Sequence, residues 1–134
     1  MSPDGRSPRA GGEVVLGRLE PAQLKTWYAR AGVFAHPARY EPFGLAPLEA
    51  ALSGCALVLG DIPSLREIWD DAAVFVPPED VVRLRLALID LIEDRPRREE
   101  LARRAGARAR RYTPERMAAG YLDLYADVRR EARP

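Results

Sequence analysis

The sequence predicts an α/β domain: a partial parallel sheet of about four strands with helices between them, then a helical C-terminal segment. Three observations predict it. Short apolar or β-branched runs recur at 13–17, 33–37, 56–61 and 72–77. Helix-period segments separate them, and parallel strands require such crossovers. From about Glu79 to the end the pattern is helical throughout.

Each element carries its own signals. "EVVLG" (13–17) is a β-branched run, and "EPAQLKTWYARAG" follows with Pro21 near a helix start, Leu24, Trp27, Tyr28 and Ala31 at helical spacing, and Gly32 as a stop. "VFAHP" (33–37) is a strand closed by Pro37. The loop "ARYEPF" leads into a helix from about Leu45 to Ser53, with Pro47 in its first turn and Gly54 past its end. "ALVLGD" (56–61) is the next strand, "PSLREIWDD" a short helix, and "AAVFVP" (72–77) the last strand. Three helical stretches follow: "EDVVRLRLALIDLIED", "RPRREELARRAGARARR" and "TPERMAAGYLDLYADVRR". In the third, Thr113 suits the N-cap, Pro114 the first helical position and Glu115 the positive end of the dipole. Arg116 stands where a capping box wants an acid.

At 134 residues the chain fits one domain, with a lead at 1–12, rich in Pro, Gly and Ser, that reads as disordered. That lead has no apolar core of the kind a signal peptide needs, and no run approaches the roughly 18 to 20 apolar residues that cross a bilayer. A soluble, cytoplasmic protein is expected. Cys55 is the single cysteine, which excludes an internal disulfide, and its place before "ALVLGD" suits a small buried filler. A net charge of +1 argues against a globally basic nucleic-acid binder.

The chemistry concentrates in "RYEPFGLAPLEAALSG" (39–54), which carries Glu41 and Glu49 around a Phe-Gly-Leu. In an open parallel sheet, ligands sit at the carboxyl ends of the strands, where helix N-termini point unpaired N–H groups outward. Gly44 lets the backbone approach a ligand closely, and the amides of Phe43, Gly44 and Leu45 can donate to phosphate or hydroxyl oxygens. Glu49 falls about one turn into the helix, where a carboxylate accepts a pair of vicinal hydroxyls well and repels phosphate. A phosphorylated ligand carrying a ribose or sugar fits both features.

The same residues carry a family resemblance. E-P-F-G-L-x-P-L-E-A, with Glu41 and Glu49 as an E-x7-E pair, then "SGCALVLGDIPSLREIW" and "AAVFVPPED", resembles the donor-binding domain of family 4-type retaining glycosyltransferases of the GT-B fold. The resemblance runs from about Val14 to the end and implies a Rossmann-like sheet. It implies that Glu41, the catalytic candidate, contacts sugar hydroxyls of a nucleoside diphosphate sugar. It implies too that Phe43, Gly44 and Leu45 offer amides to the sugar and distal phosphate, that Glu49 holds the ribose, and that no metal or other cofactor is required. Glu67 either faces the donor pocket, as in members of the family, or pairs on its own short helix.

A complete enzyme of this kind adds an N-terminal acceptor domain and two further strands bearing an Arg and a Lys that neutralise the diphosphate. Arg18 and Lys25 do not stand in that context, so this chain alone is expected to bind donor without completing catalysis. Pairing strand 13–17 with strand 33–37 through a right-handed crossover repairs the sheet. Its second face then needs cover from the C-terminal helices or a second copy, since apolar burial is worth roughly 25 cal/mol per Å².

The remaining residues read more plainly. His36, the only histidine, follows a buried strand without a readable acid or nucleophile partner and is taken as structural. Trp27, Tyr28, Trp69, Tyr121 and Tyr125 sit at helical spacing and are taken as core. Residues 97–111 hold seven arginines against two glutamates, which offers peripheral contact with a membrane and an alternative function as a non-catalytic interaction module. Twenty of the 21 Lys and Arg residues are Arg, a coding bias that weakens the meaning of such a cluster.

Overall fold

The computed structural model of the protein describes residues 7–8, 14–41, 45–112 and 129–130. Phe43, Gly44, most of the 1–12 lead and nearly all of the third C-terminal helix lie outside the described residues. The order is β1 (Ser7–Pro8), β2 (Val14–Val15), α1 (Pro21–Arg30), β3 (Val33–His36), α2 (Leu45–Leu52), β4 (Ala56–Gly60), α3 (Pro63–Trp69), β5 (Val74–Val76), α4 (Val81–Glu93) and α5 (Arg95–Ala109), with a 3-10 turn, Asp70–Ala72, after α3. The parallel sheet has the order β3-β4-β5.

The α/β class holds, with one correction to the strand count. The expected fourth strand does not join the sheet: Val14 and Val15 pair antiparallel with Pro8 and Ser7, and both valines are exposed. Two β-branched residues are too short a run to match the four-residue edge of β3. Gly17, at φ 68°, turns the chain away directly afterwards.

The core is built around β4, whose five residues are all buried. Successive strand residues point to opposite faces, so Leu57 and Leu59 meet Leu48, Ala50 and Ala51 of α2, Leu65 and Trp69 of α3, and Ala105 and Ala109 of α5. Ala56 and Val58 instead meet Val76, Leu91 of α4 and Leu101 of α5. The second sheet face is thus covered by α4 and α5 of the same chain, because α5 is long enough to contribute to both layers.

Local chemistry sets the helix ends. Asp80 caps α4 by accepting from Arg83 N–H at 2.9 Å, and Asp94 caps α5 by accepting from Arg97 N–H at 3.0 Å. After α2 the chain passes through Gly54 at φ 96°, and the Gly54 and Cys55 amides donate to the carbonyls of Ala51 and Ala50, both at 3.1 Å. This delivers Cys55 directly into the core, fully buried, its thiol donating to the carbonyls of Tyr28 and Ala31. Burial raises the thiol pKa, which keeps the sulfur an inert filler, as expected.

Candidate functional site

The carboxyl ends of the three strands bring three loops together. After β3, Pro37 ends the strand and the Ala38 amide turns back onto the His36 carbonyl at 2.8 Å. The loop then passes so close to the end of β4 that a Cβ on Gly60 would stand 2.3 Å from the Ala38 carbonyl oxygen. Three residues further on, Ser64 Oγ at the start of α3 donates to the Glu41 carbonyl at 2.8 Å. The Glu41 carboxylate Oε2 lies 3.2 Å from His36 Nε2, with both side chains half-buried. His36 is thus more than a strand-end residue: the carboxylate missing from the sequence reading arrives through the turn after Pro37.

Glu49 stands elsewhere. It is exposed on α2 and rims a groove of about 510 Å³ between α1 and α2, lined by Leu19, Leu24, Lys25, Tyr28, Leu52 and Ser53. Burial raises the Tyr28 phenol pKa first, and the nearby Glu49 carboxylate raises it further. The lining is mainly apolar, with one carboxylate and one ammonium, so it suits a flat, weakly polar ligand bearing hydroxyls. Glu41 does not line this groove. Leu45 is exposed at the start of α2, and Glu67 is exposed on α3.

Sequence reasoning missed Lys25 and Tyr28 as groove residues. They are three apart on α1, as Ser53, just past the end of α2, is four after Glu49, so each pair shares one face. Only packing of α1 against α2 brings the two faces together. The basic stretch, in contrast, is largely engaged in ion pairs and hydrogen bonds within the chain, most of them at the surface. Arg97 pairs with Asp90, Arg103 and Arg104 with Glu100, and Arg108 with Asp71. Arg98 donates to the Leu91 and Ile92 carbonyls at the end of α4. Among the described residues no helix is long and apolar enough to cross a membrane, and no group of three or more His, Cys, Asp and Glu residues could hold a metal ion.

Residues 13–111 match the family model described as glycosyl transferases group 1. The chain belongs to this family. The group 1 domain is 31% identical over 120 residues to the O-antigen chain mannosyltransferase B of Escherichia coli, covering 90% of this chain and 32% of that one. It is 37% identical over 119 residues to the D-inositol 3-phosphate glycosyltransferase of Xylanimonas cellulosilytica, covering 86% of this chain and 28% of that one. The chain therefore spans about a third of the length of these relatives. The GT-B-type, Rossmann-like fold is seen in the solved sucrose-phosphate synthase of Thermosynechococcus elongatus, with a TM-score of 0.73 at 24% identity over 87% of this chain and 30% of that one.

Proposed function

We propose that this group 1 domain binds the nucleoside diphosphate sugar donor of a retaining, family 4-type transfer to an acceptor hydroxyl. The supporting observation is the Glu49 groove. Leu19, Leu24, Tyr28 and Leu52 offer an apolar slot for a flat base, while Glu49 at its rim accepts two vicinal ribose hydroxyls. In this reading the diphosphate runs toward the start of α2, where the amides of Phe43, Gly44 and Leu45 stabilise the charge that develops as the sugar leaves. Glu41, held at the strand ends, takes the sugar hydroxyls, and Glu67, exposed on α3, joins the donor site in this reading. The acceptor side and the cations that neutralise the diphosphate come from further polypeptide, so the isolated domain binds donor without turning it over. No metal enters the scheme.

Calorimetry with UDP-, GDP- and ADP-sugars and the matching nucleoside diphosphates tests this. Glu49→Ala weakens nucleotide and nucleotide-sugar alike, by about tenfold or more, the worth of hydrogen bonds to a charged group. Glu41→Ala weakens only the nucleotide-sugar. If wild-type protein binds no member of the panel, the donor reading falls and the fold serves as an interaction module. Equal affinities for wild type and both variants would remove the residue assignments.

A further inference from the structure

His36 lies outside the E-x7-E motif, yet its side chain meets the Glu41 carboxylate. It occupies the last position of β3, with Phe34 two residues earlier on the same face. The Phe34 ring stacks against the imidazole, with centroids 5.9 Å apart and planes 17° apart. Tyr28 in turn meets Phe34 edge-on at 5.5 Å and 84°. The ring plane of His36 is thereby set from behind, and Nε2 faces Glu41 Oε2 at 3.2 Å.

The Glu41 backbone is anchored independently. Ser64 Oγ holds its carbonyl at 2.8 Å, and the loop leading to it crosses Gly60 where no Cβ fits. An ionised carboxylate only accepts hydrogen bonds, so Nε2 must carry the proton. An N–H on a ring held by stacking is a rigid donor, and it orients one oxygen of a side chain that turns about three bonds.

We propose that His36 is the positioning residue for Glu41, its Nε2–H holding the carboxylate in the orientation that meets the sugar of the donor. The inference rests on the donor-binding reading given above. His36 touches no ligand itself and acts through Glu41.

Binding to UDP-, GDP- and ADP-sugars, against the bare diphosphates, tests it with the whole 134-residue chain. His36→Leu, which keeps bulk but loses the donor, weakens the nucleotide-sugar roughly tenfold and leaves the nucleoside diphosphate unchanged. His36→Gln, whose amide Nε2 has similar reach, stays within about threefold of wild type for both. In a Glu41→Ala background, His36→Leu costs nothing further, because a residue acting through another loses its effect when that residue is gone. Wild type and His36→Leu binding the nucleotide-sugar equally well would overturn the positioning role while leaving the donor reading intact. No binding by wild type would overturn the donor reading instead.

A second measurement needs no variant. His36 is the only histidine, so the imidazole ¹⁵N spectrum of wild-type protein is assigned without ambiguity. A proton on Nε2 at neutral pH is the expected result. A neutral ring protonated only on Nδ1 would overturn the proposal even if His36→Leu failed to fold.

Discussion

Glu41 retains 24% of its side-chain surface, with its carboxylate against His36 and its carbonyl held by Ser64, whereas Glu49 stands exposed at the lip of a mainly apolar groove. Both belong to one ten-residue motif, yet the fold treats them differently. Glu41 sits in a loop trapped between the ends of β3 and β4 and the start of α3. Glu49 sits on a regular helix whose other face, Pro47, Leu48, Ala50 and Ala51, is buried. A fixed carboxylate suits recognition of one stereochemistry among several similar hydroxyls, since a pre-set geometry has less entropy to lose on binding. An exposed carboxylate beside an apolar slot suits a group common to all nucleotides.

The harshest way to break this contrast is Gly60→Ala. The added methyl group meets a backbone oxygen at 2.3 Å, and backbone cannot rotate aside as a long side chain can. Overpacking of this kind costs about 1 to 3 kcal/mol. The strain falls on the Ala38 loop, so the variant is expected to melt earlier and to lose nucleotide-sugar affinity while keeping nucleotide affinity through Glu49. Thermal melts followed by calorimetry check both parts. Equal loss of both ligands would mean that the two carboxylates do not sit in separable regions.

Ser64→Ala sharpens the same contrast more gently. It removes the hydroxyl that holds the Glu41 carbonyl at 2.8 Å, and a neutral hydrogen bond of this kind is worth about 0.5 to 1.5 kcal/mol. Stability is expected to fall by that amount, read from denaturant midpoints. Nucleotide-sugar binding should weaken less than in Gly60→Ala, because His36 still holds the carboxylate.

These expectations also mark what the residues disclosed before folding. "ALVLG" could be read as a doubly buried strand because each of its residues is apolar, and the helix from Leu45 because Pro47 and Gly54 bracket it. "EVVLG" misled because a β-branched pair looks like the start of a longer strand. Its short length and the turn at Gly17 decide otherwise. The groove was not legible because it depends on how α1, which has no buried residue, leans on α2. The His36 and Glu41 pairing was missed for a different reason. The two residues are only five apart, but the turn between them follows from Pro37 and from contact with Gly60, which no local periodicity reports.

The smallest expected effect concerns a third carboxylate at the same strand ends, and it separates mere charge pairing from the anchoring proposed for Glu41. Asp61 follows β4 and pairs with Arg66 of α3, whose Nη2 donates to Oδ2 at 3.0 Å and whose guanidinium lies 4.6 Å from the Phe75 ring centre. The hydrogen bond from Arg66 holds the Asp61 carboxyl below its usual value; desolvation opposes it, and the Arg66 charge adds a lesser lowering. A lowered folded-state pKa means that the pair's contribution is fully present above the unfolded value of about 3.9 and is lost as pH falls through the lower folded value. Both side chains are exposed, so screening keeps the effect small. Melting temperatures of wild type and Asp61→Asn are therefore expected to differ slightly at neutral pH and to converge in acid. Salt of about 1 M, where the screening length is near 3 Å, should narrow the gap as well. Nucleotide-sugar affinity is expected to be untouched, since Arg66 holds Asp61 and not Glu41. A loss of donor binding in Asp61→Asn would instead show that the strand ends respond to any missing charge and that the anchoring of Glu41 is not specific.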